Sequence, residues 1–212
     1  MSIAENLRSV RQRIEAAGRN PDEVQIVAVT KGFAPDVCRA ALDAGLKVLG
    51  ENRVQEAVEK MPKVDGATWH LIGHLQTNKV RLAAGRFALI QSIDSTHLAD
   101  ALARINVEQK VLVEVNVARE VQKTGVDPGE AATLIDQVAE MLDLQGLMAI
   151  GPAEGDPTTA FTELRTLRDD AQQRLGKALP ILSMGMSGDF EAAVRAGSTM
   201  VRLGQVLFGP RP

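Results

Sequence analysis

The chain has 212 residues, of which 45% are hydrophobic and 24% are charged, and its formal net charge at pH 7 is −3. This composition is typical of a globular protein of one large or two small domains, without the basic surface expected of a nucleic-acid or membrane partner. The single cysteine, the absence of a signal-peptide pattern and the lack of any apolar run near the ~18 residues of a membrane span indicate a cytoplasmic protein.

The first predicted element is an amphipathic helix. Ser2 and Glu5 fit a capping box, and apolar residues recur at helical spacing over residues 3–14. Gly18 and Pro21 are expected to end this helix.

A β-branched, apolar strand is predicted next, over residues 24–31, and it ends in Lys31. A strand this apolar is expected in the middle of a parallel sheet, whose carboxyl end carries ligand chemistry in α/β folds. An apolar neighbourhood would lower the pKa of the lysine from about 10.4 and leave an amine that can form a Schiff base. A lysine that extends to solvent is the alternative.

Strand and helix patterns then alternate to the end of the chain. Asn52, with Gln55, and either Asp94 or Ser95 are the expected helix N-caps. Further strands are predicted over 47–50, 68–73, 87–93, 110–117, 144–150, 180–185 and 199–203, and further helices over 35–44, 52–59, 77–84, 95–105, 128–141, 157–175 and 187–196.

This alternation predicts an α/β fold, a single-domain (β/α)₈ TIM barrel with an extra N-terminal helix, over residues 1–212. An open doubly wound sheet is the alternative. The residues that follow the first strand, 31–35, lack the glycine-rich dinucleotide fingerprint of that fold, which favours the barrel.

Functional side chains of such a barrel lie at the carboxyl ends of the strands and in the loops that follow. Lys31, Lys79 and Lys123 can reach this face, and only Lys31 ends an apolar strand. Lys60, like the lysines at other helix ends, is expected to lie away from the face.

The last two units predict an anion site. Residues 183–188 join the seventh strand to its helix, and residues 202–205 end the eighth, where this fold usually binds phosphate. Ser187 offers a hydroxyl, and neighbouring glycines let backbone N–H groups approach an anion. N-capping of a helix by Ser187 is the simpler interpretation and requires the same geometry.

Arg202 lies in a short apolar strand, where an unpaired guanidinium would be costly. Strand alternation directs it away from Val201 and Leu203, and therefore into the barrel mouth if those two face the helices. An ion pair with Glu51 or Glu114 is the alternative.

Three other positions give weaker signals. His70 is expected to be a packed, hydrogen-bonded histidine, and Asn52 either contacts a ligand or only caps a helix. Glu114 is expected to be the only strand-borne carboxylate near the mouth, and the ligand spacing predicts no metal site.

Seven segments, in order over nearly the whole chain, match the pattern of a known family: residues 27–31, 50–56, 69–79, 123–125, 146–150, 182–187 and 197–204. On these segments the chain resembles the YggS/PROSC family of pyridoxal phosphate homeostasis proteins. It departs from the family pattern at Gly32-Phe33 and at Arg53.

The resemblance implies the barrel of alanine racemase and pyridoxal 5′-phosphate (PLP) as cofactor, in fold type III. It implies that Lys31 holds PLP as an internal aldimine. Ser187 and the backbone N–H groups of Gly204 and Gln205 would bind the phosphate. Arg202 would meet the pyridine nitrogen.

The resemblance also implies that Asn52 lies beside the ring, and that the protein carries PLP to apo enzymes rather than turning over a substrate. Arg202 would weaken the ring as an electron sink, and the chain has no tyrosine, the residue that supplies the second base in alanine racemase. We expect a monomer. Lys123, on a lid loop over residues 119–125, either contacts the aldehyde transiently or is only a basic lid residue near the phosphate. A PLP-dependent amino acid racemase of low activity and a cofactor-free Schiff-base aldolase are the alternatives.

Overall fold

Eight parallel strands form the centre of the computed structural model, which describes residues 2–210. Each strand pairs with the next and the last pairs with the first, so the predicted (β/α)₈ barrel is confirmed and the open sheet is not. Met1, Arg211 and Pro212 of the predicted domain lie outside the described residues. The strands are β1 (Gln25–Val29), β2 (Val48–Glu51), β3 (Thr68–Leu71), β4 (Leu89–Ile93), β5 (Lys110–Glu114), β6 (Asp143–Met148), β7 (Ile181–Ser183) and β8 (Met200–Leu203).

Helices cover the outside of the barrel, and the predicted N-terminal helix precedes β1. A further short helix follows β8. Within residues 2–210, none of the helices has the length and apolarity needed to cross a membrane. The helices are α1 (Ile3–Ala16), α2 (Pro35–Asp43), α3 (Val54–Lys60), α4 (Val80–Ala83), α5 (Thr96–Ala103), α6 (Ala131–Met141), α7 (Thr158–Leu175), α8 (Phe190–Arg195) and α9 (Gln205–Phe208).

Local capping explains where several helices begin. Ser2 Oγ accepts the N–H of Glu5 at 3.3 Å, and Glu5 Oε2 accepts the N–H of Ser2 at 2.7 Å, which completes the predicted capping box. Ser95 Oγ accepts the N–H of Leu98 at the start of α5. The predicted cap at Asn52 is wrong, because α3 begins at Val54 and no side chain caps it.

Side-chain alternation along the strands separates two apolar cores. One core lies inside the barrel and the other fills the space between the barrel wall and the helices. The inner core consists of Val27, Val48, Leu89, Leu112, Met148 and Met200. Because Ala28, Val201 and Leu203 belong to the outer core, Arg202 has to lie inside.

Contacts with α1 and with the loop after β1 hold α9 over the carboxyl end of the barrel. Asn6 Nδ2, in α1, donates to the carbonyl of Leu207 at 2.8 Å. The rings of Phe33 and Phe208 are 5.3 Å apart between centroids, which joins α9 to the loop that carries Lys31.

Candidate functional site

The barrel closes between β1 and β8, and this seam carries the predicted lysine and the predicted phosphate-binding amides. Ala28 pairs with Leu203, so the segments that follow the two strands adjoin at the same rim. A Cβ built on Gly204 would lie 3.5 Å from Val29, which shows how closely the two segments approach. Lys31 is half-buried and lies in the loop, because β1 ends at Val29 rather than at the lysine.

Ser187 faces the start of α9. Its Oγ accepts the N–H of Val206 at 3.2 Å, so it does not cap α8, which begins at Phe190. The amides of a helix's first turn have no acceptor within the helix. Ser187 and the N–H groups of Gly204 and Gln205 therefore form a group of donors next to the Lys31 loop. A cavity of about 290 Å³ adjoins them, lined by Val29, Phe33, Gly204, Gln205, Gly209 and Pro210.

Arg202 lies inside the barrel with only 4% of its surface exposed, in the direction that strand alternation predicts. Its guanidinium donates to the carbonyl and hydroxyl oxygens of Ser183 at 2.9 and 2.8 Å, and to the carbonyl of Ala149 at 2.8 Å. Among residues 2–210 it forms no salt bridge, with Glu114 or any other carboxylate, so the predicted alternative of an ion pair does not describe it. Burial lowers the pKa of Arg202 to about 10, although the charges of Glu114 and Asp189 oppose this.

A chain of neutral hydrogen bonds continues from Arg202 across the barrel. Ser183 Oγ donates to Gln91 Oε1 at 2.7 Å, and Gln91 Nε2 lies 3.1 Å from His70 Nδ1. Burial lowers the pKa of His70 to about 4, so the ring is neutral at pH 7 and accepts at Nδ1. His70 is thus a packed, hydrogen-bonded histidine, as expected.

Asn52 lies between β2 and α3, where its backbone passes close to the next loop. A Cβ on Gly73 would overlap the carbonyl oxygen of Asn52, so only glycine fits opposite it. Within the described part of the chain, the side-chain Oδ1 of Asn52 is buried and has no hydrogen-bond partner. A buried amide oxygen without a donor is uncommon and is consistent with a position that a ligand completes.

The side chain of Lys60 does not lie where the sequence predicts, away from the carboxyl end of the barrel. Its side chain is buried and reaches the carboxyl rim, where Nζ donates to the carbonyl of Thr30 at 2.8 Å. The same ammonium bonds Glu51 Oε1 at 2.8 Å and Glu56 Oε1 at 2.6 Å. Sequence reasoning missed this residue, although its spacing of four from Glu56 on one helix face was a usable signal.

Two carboxylates, not one, are carried by strands near the mouth. Glu51 ends β2 on the helix-facing side and Glu114 ends β5, so the expectation that Glu114 stands alone is wrong. Burial raises the pKa of Glu51 against hydrogen bonds from Lys60 and Thr30. Burial likewise raises the pKa of Glu114, whose Oε1 accepts the hydroxyl of Thr124 at 2.7 Å.

Lys123 is held in place by its surroundings. Its Nζ donates to Glu120 Oε1 at 2.8 Å and to the carbonyl of Gly151 at 2.6 Å. Glu120 Oε1 also accepts the N–H of Ala153, so the 119–125 loop is tied to the loop after β6. Lys123 borders a cavity of about 650 Å³ that reaches Met186, beside Ser187.

Lys79, the third lysine expected on this face, lies further from the seam. It lines a cavity of about 410 Å³ together with Asn52 and His74. His74 Nδ1 in turn lies 2.9 Å from Asp94 Oδ2. The structure therefore groups Lys31, Ser187, Gly204 and Gln205 at the seam, with Arg202 below them and Asn52 to one side.

Comparison with known proteins gives consistent matches over the whole chain. The family described as the alanine racemase N-terminal domain matches residues 1–212. The pyridoxal phosphate homeostasis proteins of Aquifex aeolicus and of Escherichia coli strain K12 are 42% and 40% identical, covering 100% and 99% of this chain and 99% and 97% of theirs. The structure of PipY from Synechococcus elongatus PCC7942 with PLP bound superimposes with a TM-score of 0.85, at 35% identity, over 98% of this chain and 100% of that one.

Proposed function

This chain belongs to the alanine racemase N-terminal domain family, among the pyridoxal phosphate homeostasis proteins, and from that premise we propose that it binds PLP and acts in PLP homeostasis. The cofactor supplies an aldehyde, which condenses with a primary amine with loss of water. The observation that carries the proposal is that a lysine and a group of hydrogen-bond donors meet where β1 and β8 close the barrel.

The residues present at the mouth fit PLP. Lys31 supplies the amine, and Ser187 with the N–H groups of Gly204 and Gln205 supplies donors for a phosphate. Asn52 offers an unpaired, buried side-chain oxygen beside them. We propose that these residues, together with Arg202, form the cofactor-binding set.

The position of Arg202 favours a role in cofactor binding over a role in catalysis. Its guanidinium donates and does not accept, so it would pair with an unprotonated ring nitrogen. An unprotonated ring withdraws electrons weakly, which disfavours carbanion chemistry such as racemisation. The absence of any tyrosine from the chain agrees with this assignment, because tyrosine is a common partner base.

Absorption spectroscopy tests the proposal. Adding PLP to the apo protein should produce a visible absorption band from the lysine-bound aldehyde, and Lys31→Ala should abolish the band. Lys79→Ala, which removes another lysine from the same face, is the matched control and should keep it. A colourless wild-type protein in the presence of PLP would contradict the proposal and favour the cofactor-free aldolase.

Further properties complete the proposal. We infer that residues 1–212 form a single domain, and that the protein is a cytoplasmic monomer that passes PLP to apo enzymes.

The hydrogen bonds of Lys123 support a role in holding the 119–125 loop closed, and this lysine borders the cavity beside Ser187. Lys123→Ala should speed PLP release and leave PLP binding to Lys31 intact. Sedimentation and PLP transfer to an apo enzyme test the remaining points.

A further inference from the structure

The main chain is held on both sides of Lys31 by the same pair of charged side chains. Before it, the carbonyl of Thr30 accepts a hydrogen bond from Lys60 Nζ at 2.8 Å. After it, the N–H of Gly32 donates to Glu56 Oε1 at 2.6 Å. Lys60 and Glu56 also bond each other at 2.6 Å. The pair therefore holds both ends of the turn that carries Lys31.

Glu51 joins this pair and completes a buried cluster. Its Oε1 accepts from Lys60 Nζ at 2.8 Å and from the hydroxyl of Thr30 at 2.7 Å. A lysine ammonium has three donors, and those of Lys60 are all used, by Glu51, Glu56 and Thr30. The ammonium is therefore fixed in position.

The cluster lies on the helix-facing side of the barrel wall, opposite the ligand side. Glu51 lies two residues after Leu49 and Thr30 two residues after Ala28, so each shares the side of an apolar residue that belongs to the outer core. Glu51 is fully buried and Lys60 is 6% exposed. Both side chains reach the carboxyl rim from the outer side of the wall, whereas PLP would bind on the inner side, so any effect on PLP has to pass through the main chain of the turn.

The turn itself needs such support. Gly32 has a φ of +77°, a conformation that glycine adopts easily. Glycine also makes the backbone of the turn more flexible than any other residue would at this position. The loop begins only two residues before Gly32, and its first internal bond runs from the N–H of Phe33 to the carbonyl of Thr30. That carbonyl is the one to which Lys60 donates, so a single oxygen anchors both the turn and the cluster.

We propose that Lys60, together with Glu51 and Glu56, is the positioning residue that sets the Lys31 amine for condensation with the aldehyde of PLP. The inference rests on the proposed function. In the reaction, Nζ of Lys31 adds to the aldehyde carbon, a C=N bond forms, and the aldehyde oxygen leaves as water with the two amine hydrogens. Lys60 touches none of these atoms and acts through Thr30 and Gly32.

Stopped-flow mixing of apo protein with PLP tests the inference, with the rate constant of the visible band as the readout. Lys60→Met should slow the band by about 10- to 100-fold, because small misplacements of a reacting group cost that much. Lys60→Arg, which restores a cation and several donors, should recover most of the rate. Hydrogen exchange of the Gly32 amide in the apo protein should be faster in Lys60→Met than in wild type, a readout that needs no cofactor.

Two further variants separate positioning from simple loss of stability. Leu102→Ala removes a buried side chain from α5, away from the cluster, and should destabilise the protein without changing the rate constant. Glu56→Ala is the second variant if Lys60→Met does not fold, because Glu56 is partly exposed and its removal should destabilise the protein less. The change removes the acceptor of the Gly32 N–H and should slow the reaction too.

The outcomes are distinguishable. A Lys60→Met or Glu56→Ala protein that is folded and reacts at the wild-type rate overturns the inference and leaves the proposed function intact. A wild-type protein that forms no visible band with PLP overturns the proposed function as well. Slow reaction in Leu102→Ala to the same extent as in Lys60→Met would also overturn the inference, since any destabilisation would then suffice.

Discussion

Two buried cations near the barrel mouth are stabilised in opposite ways. Lys60, outside the barrel wall, bonds two carboxylates, and Arg202, inside it, bonds only carbonyl and hydroxyl oxygens. Burial alone would lower the pKa of Lys60, but its hydrogen bonds to Glu51 and Glu56 outweigh burial and raise it. No carboxylate bonds Arg202 in the described residues, and burial lowers its pKa to about 10.

This difference matches the two tasks. The positive charge of Lys60 is compensated by its two carboxylate partners, so it can organise the Lys31 turn without projecting positive charge into the barrel. The charge of Arg202 is solvated by dipoles and remains effective in the mouth. A cation of this kind suits an electron-rich partner such as a pyridine nitrogen, and that is the partner we propose for it.

Removing Lys60 should produce the largest loss of stability. Lys60→Met leaves Glu51 buried without a counterion, and we expect the free energy of unfolding in urea to fall by about 3–5 kcal/mol. The double variant Lys60→Met with Glu51→Met should recover much of this loss, because no unpaired charge remains buried. A loss for Lys60→Met below that for Arg202→Met would contradict the comparison.

Acidification should break the neutral network that ends at His70. Its folded-state pKa is about 4, below the unfolded value of 6.5, so only the unfolded chain takes up the proton in between. The stabilisation is complete above pH 6.5 and is lost as the pH falls towards 4, by about 3 kcal/mol in total. Urea unfolding at pH 7 and pH 4 measures it, and His70→Asn should show a smaller difference between the two pH values. An equal difference would exclude His70 as its source.

Arg202→Met should cost less than Lys60→Met. The change leaves the carbonyls of Ser183 and Ala149 without a donor, but it also removes a buried charge, so we expect a net loss of about 1–3 kcal/mol. Arg174→Met is the control, because Arg174 pairs with Asp136 on the surface and should cost no more than about 1 kcal/mol. The position of the visible band with PLP should shift in Arg202→Met only.

Ser187→Ala should have the smallest effect on the apo protein and a clear effect on binding. It removes one hydrogen bond at the start of α9, worth about 1 kcal/mol, and one donor to phosphate, worth about 10- to 100-fold in PLP affinity. Ser95→Ala removes a similar cap from α5 and should leave affinity unchanged. Equal affinities of the two variants for PLP, measured by fluorescence titration, would argue against Ser187 as a phosphate ligand.

The hydrophobic periodicity of the sequence predicts most of the fold. Strand and helix alternation predicts the closed barrel, and the capping box at Ser2 and Glu5 predicts where α1 begins, because both are set by local pattern. The inward direction of Arg202 follows from alternation within β8. The prediction of Asn52 as an N-cap is wrong, because residues of this type are also common at the start of loops and α3 begins two residues later.

Lys60 could not be placed from its position in the chain. The side chains of a helix point towards its N-terminus, which in this fold lies at the carboxyl rim of the barrel. Since α3 has only seven residues and is about 10 Å long, the long side chain of Lys60 spans most of the way back to the rim. The sequence indicated the pairing with Glu56, but the contacts with Glu51 and Thr30 depend on how α3 packs against β2 and the Lys31 turn, which the sequence alone does not give.

Reduction with borohydride followed by peptide mass mapping tests most directly the central claim that Lys31 holds PLP. The treatment converts the C=N bond into a stable amine and marks the lysine that formed it. We predict that the mark falls on the peptide containing Lys31, and that peptides containing Lys60, Lys79 and Lys123 remain unmodified. A mark on another lysine in place of Lys31, or no mark in PLP-saturated protein, would contradict the claim.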